Sequence, residues 1–231
     1  MSAILALFDF IRHIDVHLMN MTRTMGPSLY LVLFAIVFAE TGLVVLPFLP
    51  GDSLLFSIGV LCAMDPVRLG VPADGFVPSL PVAMAVLFAA ALTGDCVNYF
   101  AGRFVGPKVF NSDTSRLLNK KHLVKTQLFY EKYGSKAIIM ARFVPIVRTF
   151  APFVAGIGQM KFPRFITFSL VGAGLWVGLL VPLGYKFADS EIVKKRFDLV
   201  IVAIIFISVL PMVLEVVRER MKAKTAPAAE G

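Results

Sequence analysis

Long apolar runs, separated by short polar segments, dominate the chain. They cover residues 29–64, 79–101, 137–160, 165–187 and 197–217. A helix needs about 20 consecutive apolar residues to cross the ~30 Å hydrocarbon core of a bilayer. The runs at 79–101, 165–187 and 197–217 therefore predict transmembrane helices. We predict an all-α polytopic membrane protein with about three to four such helices.

The runs at 29–64 and 137–160 contain residues that do not suit a straight spanning helix. The interrupting residues are charged residues, prolines and glycines: Glu40, Pro47, Pro50, Gly51, Asp52, Arg142, Pro145, Arg148, Pro152 and Gly156. Proline removes a backbone donor and clashes with the preceding helical turn. We therefore predict that each run forms a re-entrant hairpin, which enters and leaves the membrane on the same side.

The two interrupted runs share a short motif. Pro47–Gly51 (PFLPG) resembles Pro152–Gly156 (PFVAG). We interpret this as a degenerate internal repeat, with two unrelated proline kinks as the alternative. Two interrupted apolar segments in corresponding halves indicate opposed hairpins in an inverted repeat, with a binding site near the bilayer midplane.

Residues 1–28 predict a different kind of element. Apolar side chains recur there at helical spacing, and charged side chains fill the other face. This pattern is typical of an amphipathic helix that lies on the membrane surface. The domain plan is thus an N-terminal helix (1–28), a single membrane domain (29–217) and a tail (218–231).

Composition supports a membrane protein and excludes several classes. The 231 residues are 58% hydrophobic and 16% charged, and the mean hydropathy is +0.80. Soluble domains carry roughly 25% charged residues. A soluble enzyme, a disordered protein and a disulfide-rich module are therefore excluded. Cys62 and Cys96 lie in apolar runs, so we expect no disulfide, no metal site and no cofactor.

The formal charge of +8 is unevenly distributed. Basic residues concentrate in the hydrophilic segment 103–136 and in the tail 218–231, and the positive-inside rule places both in the cytoplasm. Because both basic segments then lie on the same side, the chain between them must cross the membrane an even number of times. The spans 165–187 and 197–217 already supply two crossings. The run 137–160 must then be a hairpin, and the C-terminus is cytoplasmic. This explanation of the charge leaves no need for a nucleic-acid partner.

Five charged residues fall within or beside apolar segments: Glu40, Asp52, Asp95, Arg142 and Arg148. A central charge costs about 2.5–3.5 kcal/mol on insertion scales, so these residues must pair, line a wet cavity or change protonation state. Structural ion pairing is one interpretation. In the functional one, Arg142 and Arg148 bind phosphate or carboxylate oxygens, and Glu40 and Asp52 change charge to couple a proton or ion.

Other polar residues are predicted to support this site. Asp95 and Arg103 lie eight residues apart on one helical face, where we expect them to fix the helix end or balance charge. An intramembrane enzyme would need a histidine nucleophile or a metal cluster. His13, His17 and His122 all lie outside the apolar runs, so we do not expect an enzyme.

Three segments closely resemble the bacterial DedA family. They are Phe38–Gly42 (FAETG) with Pro47–Leu55 (PFLPGDSLL), Gly94-Asp95 with Tyr99, Gly102-Arg103 and Gly106, and Ala141–Gly156 (ARFVPIVRTFAPFVAG). The resemblance runs from about Leu29 to Val217. It implies a multi-pass protein of the bacterial inner membrane with two inverted re-entrant hairpins. It also implies a relation to the eukaryotic VTT lipid scramblases, the SNARE-associated Golgi protein group.

The resemblance also carries expectations about function. The family is associated with envelope homeostasis, with dependence on proton motive force and, in some members, with return of undecaprenyl phosphate across the membrane. Glu40 and Asp52 match the family's essential acids, and Arg142 and Arg148 match its essential arginines.

Two transport functions follow from these residues. The first is proton-coupled transport of a phosphate-bearing lipid, most simply undecaprenyl phosphate, with membrane lipid and protons or sodium as partners. The alternative is a proton- or sodium-coupled exporter of small cations or drugs, in which the acids bind the cation and the arginines act as counter-charges. A purely structural membrane organiser is a weaker third option, and a homodimer is left open.

Overall fold

Eight α-helices make up the part of the chain that the structure describes. The structure is a computed structural model that describes residues 14–43, 51–110, 134, 136–143 and 145–190. In order, the helices are α1 Ile14–Met25, α2 Leu29–Gly42, α3 Gly51–Cys62, α4 Pro66–Leu69, α5 Leu80–Phe110, α6 Lys136–Ala141, α7 Pro145–Ile157 and α8 Phe162–Phe187. These residues contain no strand, which confirms the all-α prediction for them.

Three helical stretches of these residues are long and apolar enough to cross a membrane. They are Val16–Gly42, Leu80–Val105 and Phe162–Phe187. The last two coincide, with slightly different ends, with the runs 79–101 and 165–187 that the sequence predicts to be spans. The predicted span 197–217 and the tail 218–231 lie outside the described residues, as does most of segment 103–136.

The first span-length stretch crosses the boundary that the sequence placed at residue 28. A 3-10 turn, Gly26–Ser28, joins α1 to α2. Leu18 and Thr22 of α1 are buried, so one face of this helix packs into the molecule. Residues 1–13 lie outside the described residues, and the surface position expected for 1–28 stays a prediction.

The two interrupted runs each contain a short apolar helix after the break. With 12 and 13 residues, α3 and α7 are roughly 18–20 Å long, which is less than the thickness of a bilayer core. Pro145 is the first residue of α7, a position where its missing N–H is harmless. Pro152 lies inside α7, so the expectation that it breaks the helix is wrong. One missing donor is tolerated when neighbouring helices surround it.

The chain has an N-terminal half (14–110) and a C-terminal half (134–190), and some helix contacts lie within one half while others join the two. Helix α2 packs on α5 and α3 on α8, while α7 packs on α5 and α6 on α8. Four glycines allow the closest approaches. A Cβ at Gly59 or Gly184 would overlap backbone across the α3–α8 contact, and a Cβ at Gly102 or Gly156 would do so across α5–α7. Small residues of this kind let helices meet backbone to backbone.

The repeat register inferred from Pro47–Gly51 and Pro152–Gly156 is wrong. Gly51 begins α3 and lies against the carboxylate of Glu40. Gly156 lies near the other end of α7, against the backbone of α5. The two glycines therefore lie at opposite ends of their helices. The sequence match rested on the spacing of the prolines, which does not determine how the helices pack. Pro47 and Pro50 lie outside the described residues.

Candidate functional site

Five charged side chains cluster among the apolar helices, and four of them are buried while Asp52 is partly exposed. The cluster contains Glu40 from the end of α2, Asp52 from the start of α3, Asp95 from α5, Arg142 from the turn after α6, and Arg148 from α7. Only 1% of Glu40, 2% of Asp95 and 5% of Arg142 is exposed. All five were singled out from the sequence, and the fold brings them together.

Arg148 bridges the two helices, α2 and α3, that flank the break in the first interrupted run (29–64). Its Nη2 contacts Glu40 Oε1, and its Nη1 donates to Asp52 Oδ1. One guanidinium group thus links the end of α2 to the start of α3. This arrangement uses the planar fork of arginine, which presents donors in fixed directions.

Arg142 has a different partner from Arg148. Its Nη1 contacts Asp95 Oδ2, and Ser169 Oγ of α8 donates to the same oxygen. Asp95 is therefore a central member of the cluster. Of the two expected roles, fixing the helix end or balancing charge, its pairing with Arg142 matches the second. Arg103 is exposed, and its Nη1 donates to the hydroxyl of Tyr99 at 2.9 Å.

Trp176 lies between the two ion-paired groups. The Cζ atoms of Arg142 and Arg148 lie 5.3 and 5.1 Å from the centroid of its ring. Its Nε1 donates to Asp52 Oδ1 at 2.8 Å. Each such cation–π contact contributes about 0.5–2 kcal/mol, depending on desolvation. The ring therefore connects both arginines and one of the acids.

Sequence reasoning did not assign Trp176 to the site, although a signal was present. It is the only tryptophan in the chain, and it lies in the middle of α8. Membrane proteins concentrate tryptophan at the two interfaces. A lone, fully buried tryptophan in mid-span is therefore unusual and indicates a specific partner for its N–H group.

Three atoms of the cluster have no hydrogen-bond partner among the described residues. They are Glu40 Oε2, Arg142 Nη2 and Arg148 Nε. An unpaired buried polar atom costs about 1–3 kcal/mol. The cluster also holds one more carboxylate than guanidinium group. Chemically, it offers two N–H donors to an oxyanion, and an excess carboxylate to a proton or cation.

The described residues contain no group of three or more His, Cys, Asp or Glu side chains that could hold a metal ion.

Comparison with known proteins gives one consistent family. The VTT domain model matches residues 49–186. Protein DedA of Escherichia coli (strain K12) is 46% identical over 226 residues, which cover 98% of this chain and 99% of that protein. The inner membrane protein YghB of the same strain is 33% identical over 207 residues, 89% of this chain and 84% of YghB.

A membrane protein of Mycobacterium tuberculosis (strain H37Rv) is also similar, with 40% identity over 197 residues, 84% of this chain and 82% of that protein. No solved structure matches the chain. The domain match includes Asp52, Asp95, Arg142 and Arg148, and the near full-length similarity to DedA also includes Glu40. Three helical stretches of the described residues are long and apolar enough to span a bilayer. The chain belongs to the DedA family of VTT-domain membrane proteins.

Proposed function

We propose that this protein transports a phosphate-bearing lipid, most simply undecaprenyl phosphate, across the bacterial inner membrane. The observation that supports this most directly is the pair of buried arginines beside Trp176. Each has a guanidinium nitrogen without a hydrogen-bond partner in the part of the chain that the structure describes, Nη2 in Arg142 and Nε in Arg148. Two guanidinium groups on one aromatic ring match the oxygens of a phosphate group.

The surroundings suit a lipid better than a free anion. The arginines lie among apolar helices, and a polyprenyl or acyl tail can stay in the hydrocarbon while its headgroup enters the cluster. Both arginines already contact carboxylates, so an entering phosphate competes with Glu40, Asp52 or Asp95. This competition gives the site two states, one with its ion pairs closed and one with phosphate bound.

The excess carboxylate provides a means of coupling. With all five groups ionised, the cluster carries one net negative charge. Uptake of one proton by Glu40 or Asp52 would neutralise it and release donors of Arg148 for a phosphate. Loss of the proton would restore the ion pair and expel the phosphate. Proton motive force can drive such a cycle, and sodium could take the proton's place.

We further propose that two opposed re-entrant hairpins form an inverted repeat in a new register. Phe56–Gly59 of α3 meets the backbone of α8 near Gly184, and Phe153–Gly156 of α7 meets the backbone of α5 near Gly102. The same spacing of phenylalanine and glycine thus recurs at both contacts, with each short helix packed on the long helix of the other half. Such an arrangement places the charged cluster between the repeats.

Binding to the purified protein tests the proposed substrate. The protein in lipid nanodiscs is titrated with undecaprenyl phosphate and, in parallel, with undecaprenol, which lacks the phosphate. We expect saturable binding of the phosphate form alone, and a loss of affinity of about tenfold or more in Arg142→Ala and Arg148→Ala.

Arg68→Ala is the matched control for those variants. Arg68 forms an exposed ion pair with Asp189, with 2.9 Å between Nη1 and Oδ1, outside the buried cluster. This variant should bind like the wild type, because exposed pairs contribute little. Equal binding of undecaprenyl phosphate and undecaprenol, or unchanged binding in both cluster variants, would contradict the proposal.

The excess of carboxylate groups also favours a second candidate, the cation exporter. In that case Glu40 and Asp52 hold the cation, and the arginines are counter-charges. Cation uptake into everted membrane vesicles, driven by a pH or sodium gradient and independent of added lipid, would favour it. Two guanidinium groups in the same cluster would repel a cationic substrate, and we therefore prefer the lipid.

A further inference from the structure

Asn98 of α5 connects two helices that carry the charged cluster. Its side chain is fully buried. Its Nδ2 donates to the backbone oxygen of Thr41 at 3.0 Å and to that of Thr149 at 2.6 Å. Both partners are carbonyl oxygens, which only accept, so the amide nitrogen must face them. One side chain therefore holds α2 and α7 at the same point.

The two carbonyl groups are next to the central ion pair in sequence. Thr41 directly follows Glu40, and Thr149 directly follows Arg148. The Glu40 and Arg148 side chains contact each other across the same two helices. Asn98 thus donates to the backbone oxygen of the residue that follows each member of the pair. In the contacts described, it touches neither charged group.

Packing along α5 shows that α2 and α7 converge here. Gly94 lies four residues before Asn98, and a Cβ there would overlap Thr41 Oγ1. Gly102 lies four residues after Asn98, and a Cβ there would overlap the Phe153 backbone oxygen. Residues four apart share one face of a helix. Asn98 therefore lies between the contact of α5 with α2 and its contact with α7.

We propose that Asn98 is a positioning residue, whose amide fixes α2 against α7 so that Arg148 stays paired with Glu40. This inference deepens the proposed transport function and rests on it for its biological meaning. The geometry itself concerns only the ion pair. Without the amide, the two helix segments are free to separate, and the guanidinium group loses its fixed distance to the carboxylate.

The amide of Asn98 satisfies two backbone oxygens but leaves its own oxygen, Oδ1, without a partner among the described residues. A buried polar atom without a partner costs free energy, which an apolar side chain of similar size would avoid. A single nitrogen with two N–H groups is, however, what two carbonyl oxygens from separate helices require.

The reactivity of Glu40 with dicyclohexylcarbodiimide reports on the ion pair without any substrate. This reagent modifies protonated carboxyl groups in apolar surroundings, and peptide mass spectrometry locates the product. The groups facing Glu40 are Arg148 of α7 and Asp52 of α3, with Arg142 farther away. The positive charge of Arg148 favours the ionised form of Glu40, so weaker pairing should increase the protonated fraction and speed its modification.

We expect Asn98→Leu to speed modification of Glu40 by about tenfold across neutral pH, as loss of a neighbouring positive charge would. Arg148→Leu should have a similar effect, and the double variant should add little to either, because both changes act on the same pair. Thr93→Val is the control. Thr93 also lies on α5, but among the described residues its hydroxyl donates only to backbone oxygens of its own helix. The rate in this variant should match the wild type.

A second variant protects the test against misfolding. Asn98→Asp keeps the shape of the side chain but replaces the double donor with an acceptor, and it should speed modification of Glu40 as well. Wild-type rates in the folded variants, or fully additive effects of Asn98→Leu and Arg148→Leu, would overturn the positioning role. Failure of the wild type to bind undecaprenyl phosphate would instead overturn the proposed substrate and leave these rates unaffected.

Discussion

At the scale of single residues, Arg148 is the centre of the site. It contacts Glu40 and Asp52 at once, and its guanidinium group faces the ring of Trp176. The fully buried carboxylate of Glu40 could not remain charged without such a partner. The fork geometry matters as much as the charge, because two acids from different helices are held by one planar group.

Replacement by lysine tests whether geometry or charge is required. We expect Arg148→Lys to bind undecaprenyl phosphate with an affinity about tenfold or more below that of the wild type. A single ammonium group cannot replace the planar guanidinium group with its several N–H donors. Binding measured by titration in nanodiscs checks this. Wild-type affinity in Arg148→Lys would show that charge alone suffices.

The stability of the cluster gives a second prediction at this scale. Removing one partner of a buried ion pair costs about 3–5 kcal/mol, since it leaves an uncompensated charge. Arg148→Met should therefore lower the thermal unfolding temperature clearly, and Glu40→Gln added to it should recover part of the loss. A further decrease in the double variant would contradict this account of the pair.

The residues whose charges cost the most free energy in a membrane were the ones that the sequence could identify as site residues. Glu40, Asp52, Arg142 and Arg148 were predicted as site residues because unpaired charges are expensive in apolar segments. Ion pairing between these acids and arginines was one interpretation, and Arg148 does pair with Glu40 and Asp52. The pair of Arg142 with Asp95 was not predicted, because it depends on how α5 and α6 pack on α8. The same holds for Trp176 and Asn98, which are neutral and carry no such cost.

At the scale of helices, close backbone contacts set the arrangement of α3, α5, α7 and α8. These contacts occur at glycines and decide which faces of the helices meet. Apolar periodicity predicted the long helices α5 and α8 well. It did not predict that α7 continues through Pro152, because tolerance of a proline depends on the neighbours of the helix.

Substitution of a glycine at a close helix–helix contact should lower the stability of the fold. Substitution of a glycine with free space around it should not. We expect Gly156→Leu to lower the unfolding temperature by several degrees, since its Cβ would overlap the backbone of α5. Gly178→Ala in α8 is the control. A Cβ there meets no atom within 4 Å, and alanine favours the helix by about 1 kcal/mol. Thermal unfolding in detergent compares the two, and equal stability would argue against the α5–α7 contact.

At the scale of the whole molecule, the path of residues 137–160 decides how the site opens to the membrane. Helix α7 is shorter than a bilayer core, and it packs on α5 beside the charged cluster. A hairpin in this position would bring Arg148 into the membrane from one side. A full crossing would place the ends of the segment on opposite sides.

Labelling of cysteines at the two ends of this segment tests its path. In a variant without Cys62 and Cys96, the chain's two cysteines, we introduce Lys136→Cys or Lys161→Cys separately. A membrane-impermeant maleimide should label both positions from the cytoplasmic side. Labelling from opposite sides would show that the segment crosses the membrane and would exclude the second hairpin.

The intrinsic fluorescence of Trp176 provides the most direct test of the proposed phosphate site. It is the only tryptophan in the chain, and both arginines of the cluster face its ring. Titration of the wild-type protein with undecaprenyl phosphate should change its emission saturably, whereas undecaprenol should not, and Arg148→Ala should abolish the response. Identical responses to both lipids, or no response in a folded protein that binds the phosphate form, would contradict a headgroup site at the arginines.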